Sequence, residues 1–591
     1  MGLTFLGEGE ETRIMNASAN SQTHGPSGSG KDDVIIVGAG FAGMYMLHRL
    51  REAGFRVKCF ESGTGPGGTW YWNRYPGARC DIHSLAYSYS FSKELEQDWE
   101  WSELYAAQPE IERYANHVAD RFDLRRSIQF NKRIAACAYD EASGTWTVTT
   151  DKGETAKARY LIMATGGYSV PAKPRIDGIE TFRGEAYFTN QWPLHKVDFA
   201  GKRVGIIGTG SSGVQTATAV AAEPIEHLDI FQRTANFIVP GWNRKADAEY
   251  TSAFKADYPA FREAAKWTGN GTLFPRVKSL GQLTTGPIAD LDEVTLRQRL
   301  EELWVTGGLY FFGGVSDLMT SEVANKRVSD FFRQKIRERV RDPKLAELLM
   351  PRGFFIGERR IIAENGYLEI FNQPNVSLID VRSDPITAVT PAGVKTRDKE
   401  YPLDILILAT GFDSGTGAML RMDVRGKGGQ MFKDKWAEGP VTYLGLMANG
   451  FPNMFMLAQP GSPSIRSQVL VSIEQHVDWV FDLLEHASQA EVVEIEATHA
   501  AEDAWTRHAA EVADKSLFAR SETQYVGANI PGKPRVYLAY LGGVGVYRKT
   551  CDMIRDNGYE GLVLRTQTGV LPGRETWSGA NEIPLVWGTA V

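Results

Sequence analysis

Two glycine triplets, each followed by a charged residue at a fixed remove, carry the most specific chemistry in this 591-residue chain. Gly38, Gly40 and Gly43 form one, and Gly208, Gly210 and Gly213 the other, both at G-x-G-x-x-G spacing. In such a turn the first glycine reverses the backbone, the second lets it approach a pyrophosphate, and the third lets the next helix pack on the strand. The charges that follow differ. Glu61 stands about 20 residues past Gly40, where a carboxylate accepts hydrogen bonds from ribose hydroxyls and repels a 2'-phosphate, which suits FAD or NAD. Arg233, with Thr234 after it, stands about 20 residues past Gly213, where a guanidinium suits a 2'-phosphate and predicts NADPH over NADH. Thr209, Ser211 and Ser212 fill the second turn and belong with it to the cofactor-binding set.

The elements that must position these residues follow from periodicity. Apolar 34–37 and 204–207 read as strands, and Met46, Leu47 and Leu50, like Val214, Ala217 and Val220, recur at helical spacing behind the turns. Residues 56–61 and 227–232 read as the next strand of each unit. Between the units, 67–81 is crowded with glycine and aromatic side chains and ends in Asp81, a carboxylate that needs a cationic or hydrogen-bonding partner if buried. A helix is expected over 110–122 and strands over 146–150 and 160–163, the last running into Ala164, Thr165 and Gly166; residues 405–408 run likewise into Ala409, Thr410 and Gly411. Charged, helix-prone stretches at 292–303 and 328–340 suggest a helical insertion, 467–481 reads as a helix, and the Gly/Pro-rich 459–464 and 527–533 as ligand-contacting loops. The expected fold is α/β with two Rossmann-like dinucleotide-binding domains, the second inserted in the first. The first would comprise residues 32–166 and 405–591, the second 167–243 and 351–404, with the helical insertion at 244–350 and a disordered extension at 1–31.

Composition excludes several classes. A formal net charge of -7 provides no basic field for nucleic acid or an anionic membrane surface. No apolar run approaches the roughly 18 residues of a membrane span. Four cysteines without C-x-x-C spacing and ten histidines without H-E-x-x-H spacing point to no disulfide framework and no metal, and fit a reducing cytoplasm. A monomer is expected.

From about Val34 to Leu564 the chain resembles the type I flavin-dependent Baeyer–Villiger monooxygenases, most of all the phenylacetone and steroid branch. The signature F-x-G-x-x-x-H-x-x-x-W-P is matched by Phe182, Gly184, Trp192 and Pro193, with Phe188 in the histidine position. A second signature is matched by Gly67, Gly68, Trp70, Tyr75, Pro76, Gly77 and Asp81. The resemblance implies that Arg360 is the active-site arginine and Asp81 the acid that orients it. It implies that Gly68, Thr69, Trp70, Asp81 and Tyr87 help to hold FAD, and that Arg359 joins Arg233 and Thr234 on the 2'-phosphate of NADPH. It further implies that 527–533 closes over the nicotinamide, and that O2 and a ketone give an ester or lactone through a C4a-peroxyflavin, with NADP+ retained and Arg360 holding the nicotinamide. Gln524 stands where relatives have Trp, and Gly167 and Tyr168 where a Gln-Leu pair is expected. The competing readings are a flavin enzyme oxygenating nitrogen or sulfur, an NADPH oxidase or flavin reductase, and a nucleotide-binding redox sensor.

Overall fold

The computed structural model describes residues 32–273, 285–519, 521–571, 573 and 577. The amino-terminal stretch expected to be disordered lies outside them. Val34 to Val37, apolar at every position, form the buried end of the strand Asp32–Val37. A strand covered on both faces needs that continuous apolar run rather than alternation. It lies in an eight-stranded sheet between Thr155–Met163 and Val57–Phe60, both parallel to it. Ile134–Asp140 and Thr145–Thr150 extend the sheet through antiparallel pairs, and Met454–Met456, far along the chain, pairs with Thr155–Met163. One face carries the helix Phe41–Glu52 and the largely buried helix Val469–Gln489, joined by Tyr45 Oη donating to Asp478 at 2.7 Å.

The second sheet is wholly parallel, in the order Val376–Asp380, His227–Gln232, Arg203–Ile207, Ile405–Leu408, Glu185–Phe188. Its make-up corrects one expected boundary. Ile405–Leu408 hydrogen-bonds to Arg203–Ile207 on one side and Glu185–Phe188 on the other, so it completes the second sheet, and the chain leaves that sheet only after Leu408. A small antiparallel sheet, Ile386–Thr390, Gly393–Thr396 and Glu400–Pro402, precedes it.

The described residues of 244–350 are mainly helical but do not form one body. Tyr250, Phe254 and Tyr258, from the helices Ala248–Ala256 and Tyr258–Lys266, join the core of the first sheet. Glu293–Thr306 and Glu322–Arg339 pack around Phe237, Val239 and Ile356 of the second unit. Polar contacts fix the first pair of helices where they are. Arg262 pairs with Glu96 at 2.8 Å, both nearly buried, and donates to the carbonyls of Leu85 and Ala86 and to Ser88. Two of these residues flank Tyr87.

Two predictions follow from buried polar groups. Removing Arg262 leaves Glu96 an unpaired buried charge, so Arg262→Ala should cost about 3–5 kcal/mol of stability, measured as the loss in urea unfolding free energy. Burial, and then the charge of Arg244, holds the His83 imidazole down at about 3, and burial and Arg548 do the same to His476. The unfolded chain binds these protons below about pH 6.5 while the folded chain does not. Stability should therefore be full above that pH and fall as pH drops toward 3, and a His83→Gln/His476→Gln double variant should show a shallower loss of urea midpoint between pH 7 and pH 5.

Candidate active site

The first glycine turn is packed too closely for any side chain. Gly38 has φ +104°, and a Cβ there would lie 2.5 Å from the Ala164 carbonyl oxygen; one on Gly43 would lie 1.9 Å from that of Gly38. Gly40 faces Gly68, whose own φ is +55°, so the turn and the 67–81 loop meet backbone to backbone. Glu61 is buried and accepts from the amides of Ala39 at 2.8 Å and Gly63 at 2.7 Å. It thus braces the turn, and a carboxylate's remaining lone pairs can still receive ribose hydroxyls. Gly68 caps the short helix Thr69–Trp72, from which Trp70 Nε1 donates to Tyr87 Oη at 3.0 Å.

The second turn repeats the packing with one informative difference. Cβ atoms on Gly208 and Gly213 would lie 2.4 Å from the Ala409 oxygen and 2.0 Å from the Gly208 oxygen, whereas one on Gly210 would meet nothing within 4 Å. The middle glycine therefore presents open backbone at the start of the helix Ser211–Val220, where amides point outward and favour an anion. Thr209 Oγ1 donates to the Thr234 carbonyl at 3.0 Å and ties the turn to Arg233 and Thr234. Arg359 lies over the Phe354 ring at 4.8 Å. Its pKa is lowered by burial and then by the neighbouring charge of Arg233, with Glu358 opposing, and its Nε is buried without a hydrogen-bond acceptor. A cavity of about 1110 Å³ lined by Arg233, Thr234, Phe354, Glu358, Arg359 and Arg382 opens here. Two cations held together in a cavity this size are suited to a dianion such as a 2'-phosphate.

Loop 67–81 bridges the units. Tyr75 Oη donates to Gln215 Oε1 at 2.8 Å, Gln215 Nε2 donates to the Arg79 carbonyl at 3.1 Å, and Gly77, at φ +78°, lies so close to the helix that a Cβ would be 2.4 Å from the Gln215 oxygen. Its last residue, Asp81, receives Arg360 Nε at 2.9 Å and Nη2 at 2.5 Å, both on Oδ2. The arginine side chain keeps 33 % exposure. Burial works against its charge, but Asp81, Tyr525 and Tyr168 together outweigh burial, so its pKa is raised. Arg360 is thus a fixed cation with unused donors, held at the end of the loop that contacts both glycine-turn units. Periodicity and spacing missed Tyr525 and Arg466, which share this neighbourhood: Arg466 lies 4.9 Å from the Tyr525 ring. They belong to no motif with a fixed spacing. Also unflagged are Ser414 Oγ and Thr416 Oγ1, beside the 409–411 hand-over, and Thr165 Oγ1, in the other one; all three are buried without protein partners. Among the described residues no three His, Cys, Asp or Glu side chains gather to hold a metal, and the four cysteines are free and buried. No helix among them is long and apolar enough to cross a membrane.

Residues 32–259 match the pyridine nucleotide-disulphide oxidoreductase family model. A Baeyer–Villiger monooxygenase of Pseudooceanicola batsensis is 41% identical over 92% of this chain and 98% of its own. The chain belongs to the type I Baeyer–Villiger monooxygenase family. An oxidised steroid monooxygenase solved with NADP bound superposes with a TM-score of 0.85 at 43% identity, over 90% of this chain and 99% of that one. A phenazine N-monooxygenase of Lysobacter antibioticus is 39% identical over 90% of this chain and 97% of its own.

Both cofactors of the family fit the residues present: the side-chain-free cradle of Gly38, Gly40, Gly43 and Gly68 beside Glu61 could hold FAD, and the open Gly210 with Arg233 and Arg359 could hold NADPH. In this Baeyer–Villiger monooxygenase Phe188 ends the edge strand Glu185–Phe188 opposite Leu408 and packs with the apolar cluster of Ile207 and Phe231. It is a packing residue in this chain. Gln524 opens a single turn, Gln524–Val526, directly before Tyr525. Loop 527–533 is fastened to 412–414 by Lys533 Nζ on Asp413 at 2.7 Å and Asn529 on the Phe412 carbonyl at 2.6 Å, and Tyr168 meets Phe412 edge-on at 5.4 Å. Arg233→Ala should raise KM for NADPH about tenfold to a hundredfold and leave KM for NADH nearly unchanged, read from initial rates with each nicotinamide.

Proposed function

We propose that this chain oxidises a ketone to an ester or lactone: ketone, O2, NADPH and a proton give the ester, NADP+ and water. The observation that carries this reading is the guanidinium of Arg360, held by Asp81 at the end of the loop that contacts both glycine-turn units. Bound FAD supplies the redox chemistry, taking a hydride from NADPH and delivering activated oxygen to the carbonyl. Arg360, kept charged by Asp81, meets negative charge as it develops on oxygen. Because both donors used by Asp81 converge on one carboxylate oxygen, the remaining guanidinium N–H groups stay available to the reacting atoms and to the nicotinamide amide. Asp81 positions that arginine rather than exchanging a proton. Glu61, the 67–81 loop and Tyr87 would hold the flavin side, and Arg233, Thr234 and Arg359 the 2'-phosphate, with Gly210 and the start of Ser211–Val220 on the pyrophosphate. One chain supplies every one of these groups, so we take it to act as a monomer, in the cytoplasm.

Arg360→Ala should lower ester formation by about two to three orders of magnitude, the usual cost of losing a donor to a developing oxyanion. Flavin bleaching by NADPH should persist. Product mass and absorbance in a single-turnover experiment separate the two; undiminished ester yield refutes the assignment. The similarity to a phenazine N-monooxygenase supports a second reading, oxygenation of a ring nitrogen. That reaction builds no alkoxide, so N-oxide formation that survives Arg360→Ala, with no ester from any ketone in the parent enzyme, would favour it.

A further inference from the structure

Arg466 is a cation without an anion. It ends the short turn Ser464–Arg466, just past the Gly/Pro-rich 459–464 loop, and its guanidinium lies over the rings of Tyr525 at 4.9 Å and Phe518 at 5.4 Å. One donor, Nη1, reaches the carbonyl of Gly357 at 3.0 Å, on the loop that carries Arg360. Its other polar partner is the Tyr525 phenol, and among the described residues it makes no ion pair with a carboxylate. Burial works against its charge, the phenols of Tyr537 and Tyr525 favour it, and the nearby charge of Arg360 opposes it. The Tyr537 phenol oxygen is buried without a hydrogen-bond partner. Asp81, the acid at this centre, is already committed to Arg360. A guanidinium with unused N–H groups, an unpaired phenol and a second cation nearby make a set of donors that wants an anionic acceptor.

We propose that Arg466 binds the carboxylate of an anionic substrate, so that the preferred ketones of this enzyme are keto acids; this rests on the ketone-oxidising reading above. A planar guanidinium stacked between aromatic faces offers its edge, and a carboxylate matches that edge with two parallel hydrogen bonds. The phosphates of NADPH are the other anions at hand. The open Gly210 backbone and the cavity that holds Arg233 and Arg359 suit them. A ketone anchored at Arg466 lies beside Arg360, which places the carbonyl near the reacting oxygen while the acid is neutralised.

The test uses the flavin-loaded enzyme and methyl-ketone carboxylates of increasing chain length, each against its own methyl ester. At one or more lengths the acid should be preferred about tenfold or more in kcat/KM, the range of a charge-assisted contact, and the preference should shrink as salt rises. Arg466→Gln should bring the acid-to-ester ratio to about one, and Arg466→Lys should retain part of it, since a point charge replaces a fork. Esters favoured at every length, or a salt-independent ratio, overturn the proposal even if the Gln variant fails to fold. A Gln variant that raises KM for NADPH equally with every ketone also overturns it, assigning Arg466 to the cofactor instead. NADPH oxidation with no oxygenated product from acid or ester overturns the underlying ketone reading, and this proposal with it.

Discussion

The ion pair between Arg360 and Asp81 is the contact on which the arrangement of the site depends. The acid ends a loop that begins against the first glycine turn at Gly68, and the arginine lies on a segment that enters the second unit through Ile362–Glu364. Both side chains are partly shielded from water, and each would be a poorly solvated charge without the other. The pair therefore sets where the two nucleotide sites face one another. It leaves guanidinium donors free at the end of the loop that touches both units.

The glycine turns were legible because their constraint is local: no side chain fits at Gly38, Gly43, Gly208 or Gly213, and the spacing alone says so. The α/β class followed from apolar runs in front of those turns. The border near Ile405 was not legible, because an apolar strand followed by Ala-Thr-Gly reads alike in either sheet, and only its partners decide. The helices after residue 244 were recognisable as helices, but their allegiance was not, since it hangs on long-range contacts such as Arg262 with Glu96 and His83 with Tyr250. Arg466 and Tyr525 escaped for the same reason. Their significance lies in which residues surround them in space, and a linear pattern does not record that.

Much of the site is a set of unmet needs rather than of finished contacts. Arg233 and Arg359 repel one another, Thr165, Ser414 and Thr416 bury hydroxyls without partners, and Gly210 bares its backbone. Arg262, nearly buried, is the opposite case: it has four acceptors within reach.

Gly77 gives the bridging loop a property of its own. With no side chain between it and the Gln215 carbonyl, and with Tyr75 and Arg79 bonded to the same glutamine, the loop is riveted to the helix that begins the second turn. Asp81 sits only a few residues farther along. If the two sheets pivot during turnover, the acid rides with the nicotinamide side although its chain segment grows out of the flavin side. The charge that steadies Arg360 would then keep its station relative to NADPH, and the slack of the movement would be taken up at the other end of the loop, where Gly68 meets Gly40.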